Sequence, residues 1–118
     1  MNQKRFGKAL KKAKKYVDLI SIKAEIKNIV NKKTRSDVLL PRGYRNLIIA
    51  MEECGELIQE ISKELRGKKD HLKLLQELAD VQLSIYYIQE VCGISDEELN
   101  QAINVKMSNY CKEAKKKG

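Results

Sequence analysis

The 118-residue sequence predicts an all-α protein, most economically a four-helix bundle. Three observations support this fold class. The composition is rich in Lys, Glu, Leu and Ile, with no Trp, one Phe and one Pro. Apolar residues recur at alternating steps of three and four, as on one face of a helix. No stretch alternates with the period of two that marks a strand. A chain of this length is expected to build one domain around one core.

The first predicted helix spans about residues 3–32, with lysines on its outer side. Its apolar positions follow one another at steps of four and three. They are Phe6, Leu10, Ala13, Val17, Ile20 and Ala24, and Leu19, Ile22, Ile26 and Ile29 continue the apolar face. Pro41 and Gly43 then indicate a loop before the next helix.

Three further helices are predicted over about residues 44–66, 71–92 and 96–115. Gly67 and Gly93 are placed to end two of them, and Asp70 to cap the third predicted helix. Ser95 and Glu98 have the spacing of a capping box. The predicted core stripe of the second helix is Leu47, Met51, Cys54, Ile58, Ile61 and Leu65, and that of the third is Leu74, Leu78, Val81, Ile85 and Ile88. The short connections favour antiparallel neighbours. Apolar residues on more than one side of the third helix, at 86–88, suggest a homodimer or homotetramer.

The net charge of +8 is spread unevenly. Residues 1–45 hold 14 Lys or Arg against 3 Asp or Glu, and residues 46–118 hold 10 against 13. We therefore divide the single domain into a basic N-terminal helix and loop, residues 1–43, and a helical core, residues 44–118. The basic segment fits either weak binding of nucleic acid or a solubilising helix face.

Several classes of protein are excluded by what the sequence lacks. The N-terminal residues contain no continuous apolar stretch typical of a secretory signal. No segment approaches the roughly 18 apolar residues of a membrane span. Cys54, Cys92 and Cys111 are odd in number and lack zinc-site spacing. We expect a soluble, cytoplasmic protein without a membrane partner.

Two acidic pairs are the main candidates for chemistry. Glu53 and Glu56 lie three residues apart on the second predicted helix, and Glu77 and Asp80 repeat that spacing on the third. Each pair projects from one face of its helix, at the edge of the predicted seam. If the helices are antiparallel, the four carboxylates, which we call the acidic quartet, can converge. Oxygen-only ligands suit a hard cation such as Mg²⁺ or Mn²⁺. Gly55, a costly residue inside a helix, suggests close backbone approach beside the acids. Solvated surface acids remain the alternative.

The pattern Glu-x-x-Glu, a spacer of 20 residues and Glu-x-x-Asp resembles the signature of the MazG-like all-α nucleoside triphosphate pyrophosphohydrolases. The stretch "EECGELIQEISK" is similar to small phage and Gram-positive members, and the resemblance covers about residues 44–112. It implies their four-helix fold and a Mg²⁺-dependent cleavage of a nucleoside or deoxynucleoside triphosphate into monophosphate and pyrophosphate.

The resemblance also implies residue roles. Glu53, Glu56, Glu77 and Asp80 would hold the metal, and Glu52 and Glu53 would be the catalytic residues. Glu52 could orient the attacking water or be a plain surface residue. Lys63 returns to the face of Glu56 two turns further along. "KMSNY" resembles the family's last-helix segment, which makes Lys106 and Asn109 the other candidates for binding substrate.

Other readings stay open. The chain could be a catalytically inert helical module that binds nucleic acid through its basic N-terminal helix, or an inert interaction protein with solvated acids. Within enzymes, phosphoribosyl-ATP pyrophosphohydrolases share a related fold. The preferred base, the sugar and the number of metal ions are left undetermined.

Overall fold

The computed structural model describes residues 2–12, 18–32 and 40–117, and in these ranges the chain is helical with no strand. The helices are α1 (Gln3–Lys12), α2 (Leu19–Asn31), α3 (Tyr44–Leu65), α4 (His71–Cys92) and α5 (Asp96–Lys117). The predicted all-α class is confirmed. The described residues form five helices rather than four, so the simple four-helix count is wrong.

The difference lies in the first predicted helix, residues 3–32. Asp18 has extended backbone angles (φ −82°, ψ 173°), and its side chain accepts a 2.8 Å hydrogen bond from the Ser21 backbone N–H. It is therefore the N-cap of α2 and not an interior helical residue. Ile20, a predicted core residue, is exposed, whereas Ile26 and Val30 are buried. Ala13 and Val17 of the predicted stripe fall outside the described residues.

Helices α3 and α4 form an antiparallel hairpin, as predicted. Asp70 caps α4 by accepting a hydrogen bond from the Lys73 N–H, and Gly93 ends it in the left-handed region (φ 68°). The start of α3 meets the end of α4 at Gly43, where a Cβ would lie 2.6 Å from a Val91 methyl carbon. Only glycine permits this approach, and its φ of 85° also favours glycine.

The packed face of this hairpin matches the predicted apolar stripe on α4 better than on α3. On α4 the predicted core residues Leu74, Val81, Ile85 and Ile88 are half-buried, and Leu78 is exposed. On α3 the buried and half-buried positions are Asn46, Leu47, Ala50, Glu53, Leu57, Glu60 and Glu64, of which Leu47 belongs to the predicted stripe. The predicted core residues Met51, Ile58 and Leu65 are instead 74%, 68% and 84% exposed. The packed face of α3 thus mixes apolar residues with acids, and its predicted stripe is exposed from Met51 onward.

Both N-terminal helices pack against α4. The Gln3 side-chain amide donates a hydrogen bond to Asp70, which fixes the start of α1 beside the start of α4. Lys23 of α2 forms an ion pair with Asp96 and lies 5.1 Å from the centre of the Tyr86 ring. The division of the domain into a basic N-terminal segment, residues 1–43, and a helical core, residues 44–118, stays a prediction.

Helix α5 begins with the predicted capping box, in which the Glu98 N–H donates to Ser95 Oγ at 3.1 Å. From Asn100 to Lys116 every side chain of α5 is exposed. The helix therefore extends away from the other helices, and the chain does not close a bundle around it. Among the described residues, no helix combines the length and apolar character needed to cross a membrane.

Candidate metal centre

The four residues of the acidic quartet meet between α3 and α4. One carboxylate oxygen from each of Glu53, Glu56, Glu77 and Asp80 lies within 4.8 Å of the others. The i, i+3 spacing sends both members of a pair to the same side of their helix. Because the two helices run antiparallel, the pairs face each other.

The sequence predicts that the quartet lies at the edge of the seam, and the structure places it from the interior of the seam, at Glu77, out to solvent, at Glu56. Glu77 is 1% exposed and has the largest fully buried side chain among the described residues. Glu53 and Asp80 are half-buried, and Glu56 is exposed. The predicted edge position therefore differs from the structure at Glu77 alone, whose side chain is buried. The site therefore has a buried floor and an opening to solvent at Glu56.

The charges in this cluster oppose one another. Burial, followed by the charges of Asp80, Glu56 and Glu77, raises the pKa of Glu53 from 4.5 to about 7. Oε2 of Glu53 and Oε2 of Glu77 are buried and accept no hydrogen bond from the described part of the chain. Buried acceptors without partners are costly, and a cation between them would remove that cost.

The donor set fits a hard divalent cation. All four ligands offer carboxylate oxygen, which Mg²⁺ and Mn²⁺ prefer, and no His or Cys belongs to the cluster. Oxygens on opposite sides of an octahedral Mg²⁺ lie about 4.2 Å apart. The 4.8 Å span of the quartet is close to that separation. The orphaned oxygens of Glu53 and Glu77 add a second, independent indication of a cation.

Lys73 is a site residue that the sequence analysis missed. Its Nζ lies 2.9 Å from Glu77 Oε1, and this hydrogen bond is the largest cause of the raised pKa of Lys73, opposed in part by burial. The charges of Glu77, Glu56 and Glu60 raise it further. The i, i+4 spacing of Lys73 and Glu77 was a signal that could have found the pair. Lys73 thus contacts Oε1 of Glu77, and Oε2 of Glu77 has no hydrogen-bond partner among the described residues.

Lys63 lies on the same side of the hairpin as Lys73. Both line an open cavity of about 590 Å³, together with Lys68, Lys69 and Asp70 near the α3–α4 turn. The Lys63 Nζ is 3.4 Å from Oε2 of Glu60, a buried residue that the sequence did not single out. The predicted substrate lysine is therefore within a cationic cavity that adjoins the quartet through Lys73.

The other predicted site residues lie apart from the cluster. Glu52 is exposed on α3 and is not among the four converging acids. Lys106 and Asn109 are exposed on α5 and line neither the lysine-lined cavity nor the cavities beside Glu53 and Asp80. Their roles stay predictions.

Gly55 also differs from its interpretation. A Cβ built at Gly55 would meet nothing within 4 Å among the described residues. Within residues 2–12, 18–32 and 40–117, no close backbone approach explains this glycine.

Two open cavities border Glu53 and Asp80 on the side away from the lysines. The larger, of about 540 Å³, lies between α1 and α4. The smaller cavity, of about 180 Å³, is also lined by Asn46, Ile49 and Tyr87.

Comparisons of the chain with protein-family models, with curated proteins and with solved structures found no match in any of the three. The class of this protein is therefore defined by its helical fold and by the geometry of its acidic cluster. The chain is an all-helical protein whose acidic cluster is held between two antiparallel helices.

Proposed function

We propose that the chain is a Mg²⁺-dependent nucleoside or deoxynucleoside triphosphate pyrophosphohydrolase, with Mn²⁺ as a possible substitute. The observation that carries this proposal is the convergence of four carboxylates around the buried, half-partnered Glu77. The resemblance of the two acidic pairs to the MazG-like signature supplies the reaction class. The chain is then a hydrolase that acts on a phosphoric anhydride bond.

The four carboxylates of the quartet would hold the metal, which would neutralise phosphate charge and lower the pKa of water. Glu53 and Glu52 are the candidates that accept the proton of the attacking water; Glu53 belongs to the quartet, and Glu52 is the exposed residue next to it in sequence. Water attacks the α-phosphorus, its oxygen forms the new bond, and the bond to the pyrophosphate oxygen breaks. The proton passes to a carboxylate, and pyrophosphate leaves with the bonding electrons.

The lysine-lined cavity would bind the departing pyrophosphate. Lys63 and Lys73 both line it, and Lys73 contacts the quartet through Glu77. Ammonium groups beside the phosphate tail stabilise the charge that builds on the leaving group. In this arrangement the two outer phosphates bind beside the lysines of that cavity, which favours cleavage at the α-phosphorus.

The test is a panel of nucleoside and deoxynucleoside triphosphates, with and without Mg²⁺, whose products are separated by chromatography. We expect monophosphate and pyrophosphate only. Accumulation of diphosphate would instead identify a phosphatase that removes the terminal phosphate.

Glu56→Gln is the informative variant because Glu56 is the exposed member of the quartet. We expect it to abolish turnover while leaving the metal-free melting temperature equal or higher, since it removes one repelling charge. Glu90→Gln changes an exposed acid of α4 outside the cluster and serves as the matched control. Wild-type turnover in Glu56→Gln would overturn the assignment of the site.

An inert helical module that binds nucleic acid is the second candidate. Helix α1 presents Lys4, Arg5, Lys8, Lys11 and Lys12, all exposed. Binding through these charges would weaken steeply between about 50 and 200 mM salt. Absence of turnover across the nucleotide panel, with salt-sensitive retention of nucleic acid, would favour this candidate.

A second copy of the chain is part of the proposal. Helix α5 carries Lys106 and Asn109 away from the other helices, so they reach a quartet only if α5 packs against another protomer. Homodimers and homotetramers both satisfy this requirement. The three cysteines are unpaired and exposed, which suits the reducing cytoplasm.

A further inference from the structure

The cavity between α1 and α4 has an apolar wall and an acidic end. Its volume of about 540 Å³ lies within the range of roughly 300–1,000 Å³ typical of ligand pockets. The acidic end is formed by Glu53 and Asp80, two members of the quartet. The apolar walls come from α1 and α4, through Phe6, Ala9, Leu10, Ala79 and Leu83.

These apolar side chains stay partly open to solvent among the residues that the structure describes. Leu10 is 42% exposed and Leu83 is 40% exposed, although both border the same cavity. Phe6, the one phenylalanine of the sequence, is half-buried at this wall. An aromatic ring and two leucines fit a flat apolar group. The acidic end beside them would take an anionic group through a cation held by the quartet.

Helix α1 is held in place at its first turns. Gln3 donates a hydrogen bond to Asp70, the N-cap of α4. A Cβ at Gly7 would lie 3.6 Å from Leu72 Cδ1, so the backbone of α1 passes in ordinary contact distance of α4. The cavity wall that carries Phe6 is therefore positioned by specific contacts.

We propose that this cavity binds the base of the nucleotide substrate and that Phe6 stacks on it. The inference rests on the proposed function and deepens it. The phosphates occupy the metal centre, and the lysine-lined cavity on the other side takes the outer two. The nucleoside end of the same molecule then points toward α1. The basic N-terminal segment thereby gains a role as a wall of the substrate pocket.

Phe6→Ala is the central variant. Phe6→Ala removes base stacking on an aromatic ring, so KM for nucleoside triphosphates should rise about tenfold, which corresponds to about 1.4 kcal/mol. We expect kcat to stay within about twofold, because Phe6 does not touch the reacting phosphorus. Inorganic tripolyphosphate has no base, and its inhibition constant as a competitor should not change.

Two further variants distinguish the effect of stacking on the ring from the effect of apolar side-chain volume. Phe6→Tyr keeps the ring and should keep KM, whereas Phe6→Leu keeps apolar volume and should raise KM nearly as much as alanine does. Ile20→Ala removes an exposed apolar side chain outside the cavity and is the matched control. Circular dichroism and Mn²⁺ affinity should be the same in all four variants.

The outcomes distinguish this inference from the proposed function. An active wild type in which Phe6→Ala retains its KM for every nucleotide would overturn the base pocket alone. An equal loss of affinity for tripolyphosphate would also overturn it, because the defect would then lie at the phosphates. An inactive wild type that binds no Mn²⁺ would overturn the proposed function and this inference with it.

Discussion

Glu77 shows how a single buried carboxylate can organise a site. Its side chain is almost inaccessible, one oxygen accepts from Lys73, and the other has no partner in the described chain. Placing three more carboxylates around it is unfavourable without a cation. The local electrostatics of the metal-free protein are therefore strained, and the strain should be measurable at the residue level.

The raised pKa of Glu53 predicts how the stability of the metal-free protein depends on pH. Between its ordinary value of 4.5 and about 7, the folded chain keeps a proton that the unfolded chain has lost. The free energy of unfolding should therefore be larger near pH 5 and fall as the pH rises through this window, with the contribution gone above about 7. Urea unfolding in the presence of a chelator at pH 5, 6, 7 and 8 measures it.

Glu53→Gln should flatten that dependence, while Glu90→Gln should leave it unchanged. An unfolding free energy that rises from pH 5 to pH 8 equally in wild type and Glu53→Gln would contradict the predicted shift.

Gly55 offers a test of a different kind. Because its Cβ position is open within the chain, Gly55→Ala should stabilise the protein by about 1 kcal/mol through higher helix propensity. Thermal unfolding at low protein concentration measures the effect. A loss of stability would indicate that another protomer approaches the backbone at this point, as a mid-helix glycine first suggested.

At the scale of the helices, periodicity predicted most boundaries but not which faces meet. Asp70, Gly93 and Ser95 were read correctly because their roles depend on neighbours in sequence. The apolar stripe of α3 predicted a buried face, whereas the face packed on α4 carries Glu53 and Glu60. A stripe shows that a face is apolar and does not show which surface covers it.

The same limit explains the site. The quartet could be found because two pairs at i, i+3 spacing on neighbouring helices meet whenever those helices are antiparallel. The depth of the quartet could not be predicted, since burial depends on the rotation of each helix about its axis. The wall supplied by α1 depends on a contact between Gln3 and Asp70, which are 67 residues apart and follow no local pattern.

The break at Asp18 is the element-level difference that can be tested most directly. Asp18→Ala removes the cap of α2 and should lower the free energy of unfolding by about 1 kcal/mol, while Asp18→Asn should retain most of the stability. Urea unfolding at equal protein concentration compares the three proteins. If residues 3–32 were one continuous helix, alanine would be the better interior residue and the variant would gain stability.

The molecule as a whole buries few apolar side chains. Among the described residues, the buried hydrophobic ones are Ile26, Val30 and Ala50. Large apolar residues remain exposed in two stripes at helical spacing. The α3 stripe consists of Met51, Ile58 and Leu65, and the α5 stripe of Ile103, Met107 and Tyr110. A surface of this kind marks an interface more often than a free face.

We therefore predict that the chain self-associates through the α3 and α5 stripes. Light scattering after size-exclusion chromatography should give the mass of a dimer or tetramer, and the melting temperature should rise with protein concentration, because association stabilises the folded state by mass action. Ile58→Asp and Met107→Asp each place a charge in one stripe and should shift the mass toward the monomer. Both should also lower the melting temperature. Ile20→Asp makes the same change at an exposed site on α2 and should leave the mass unchanged. A monomeric wild type whose melting temperature is independent of concentration would rule out this interface, and with it any contribution of Lys106 and Asn109 from a second protomer.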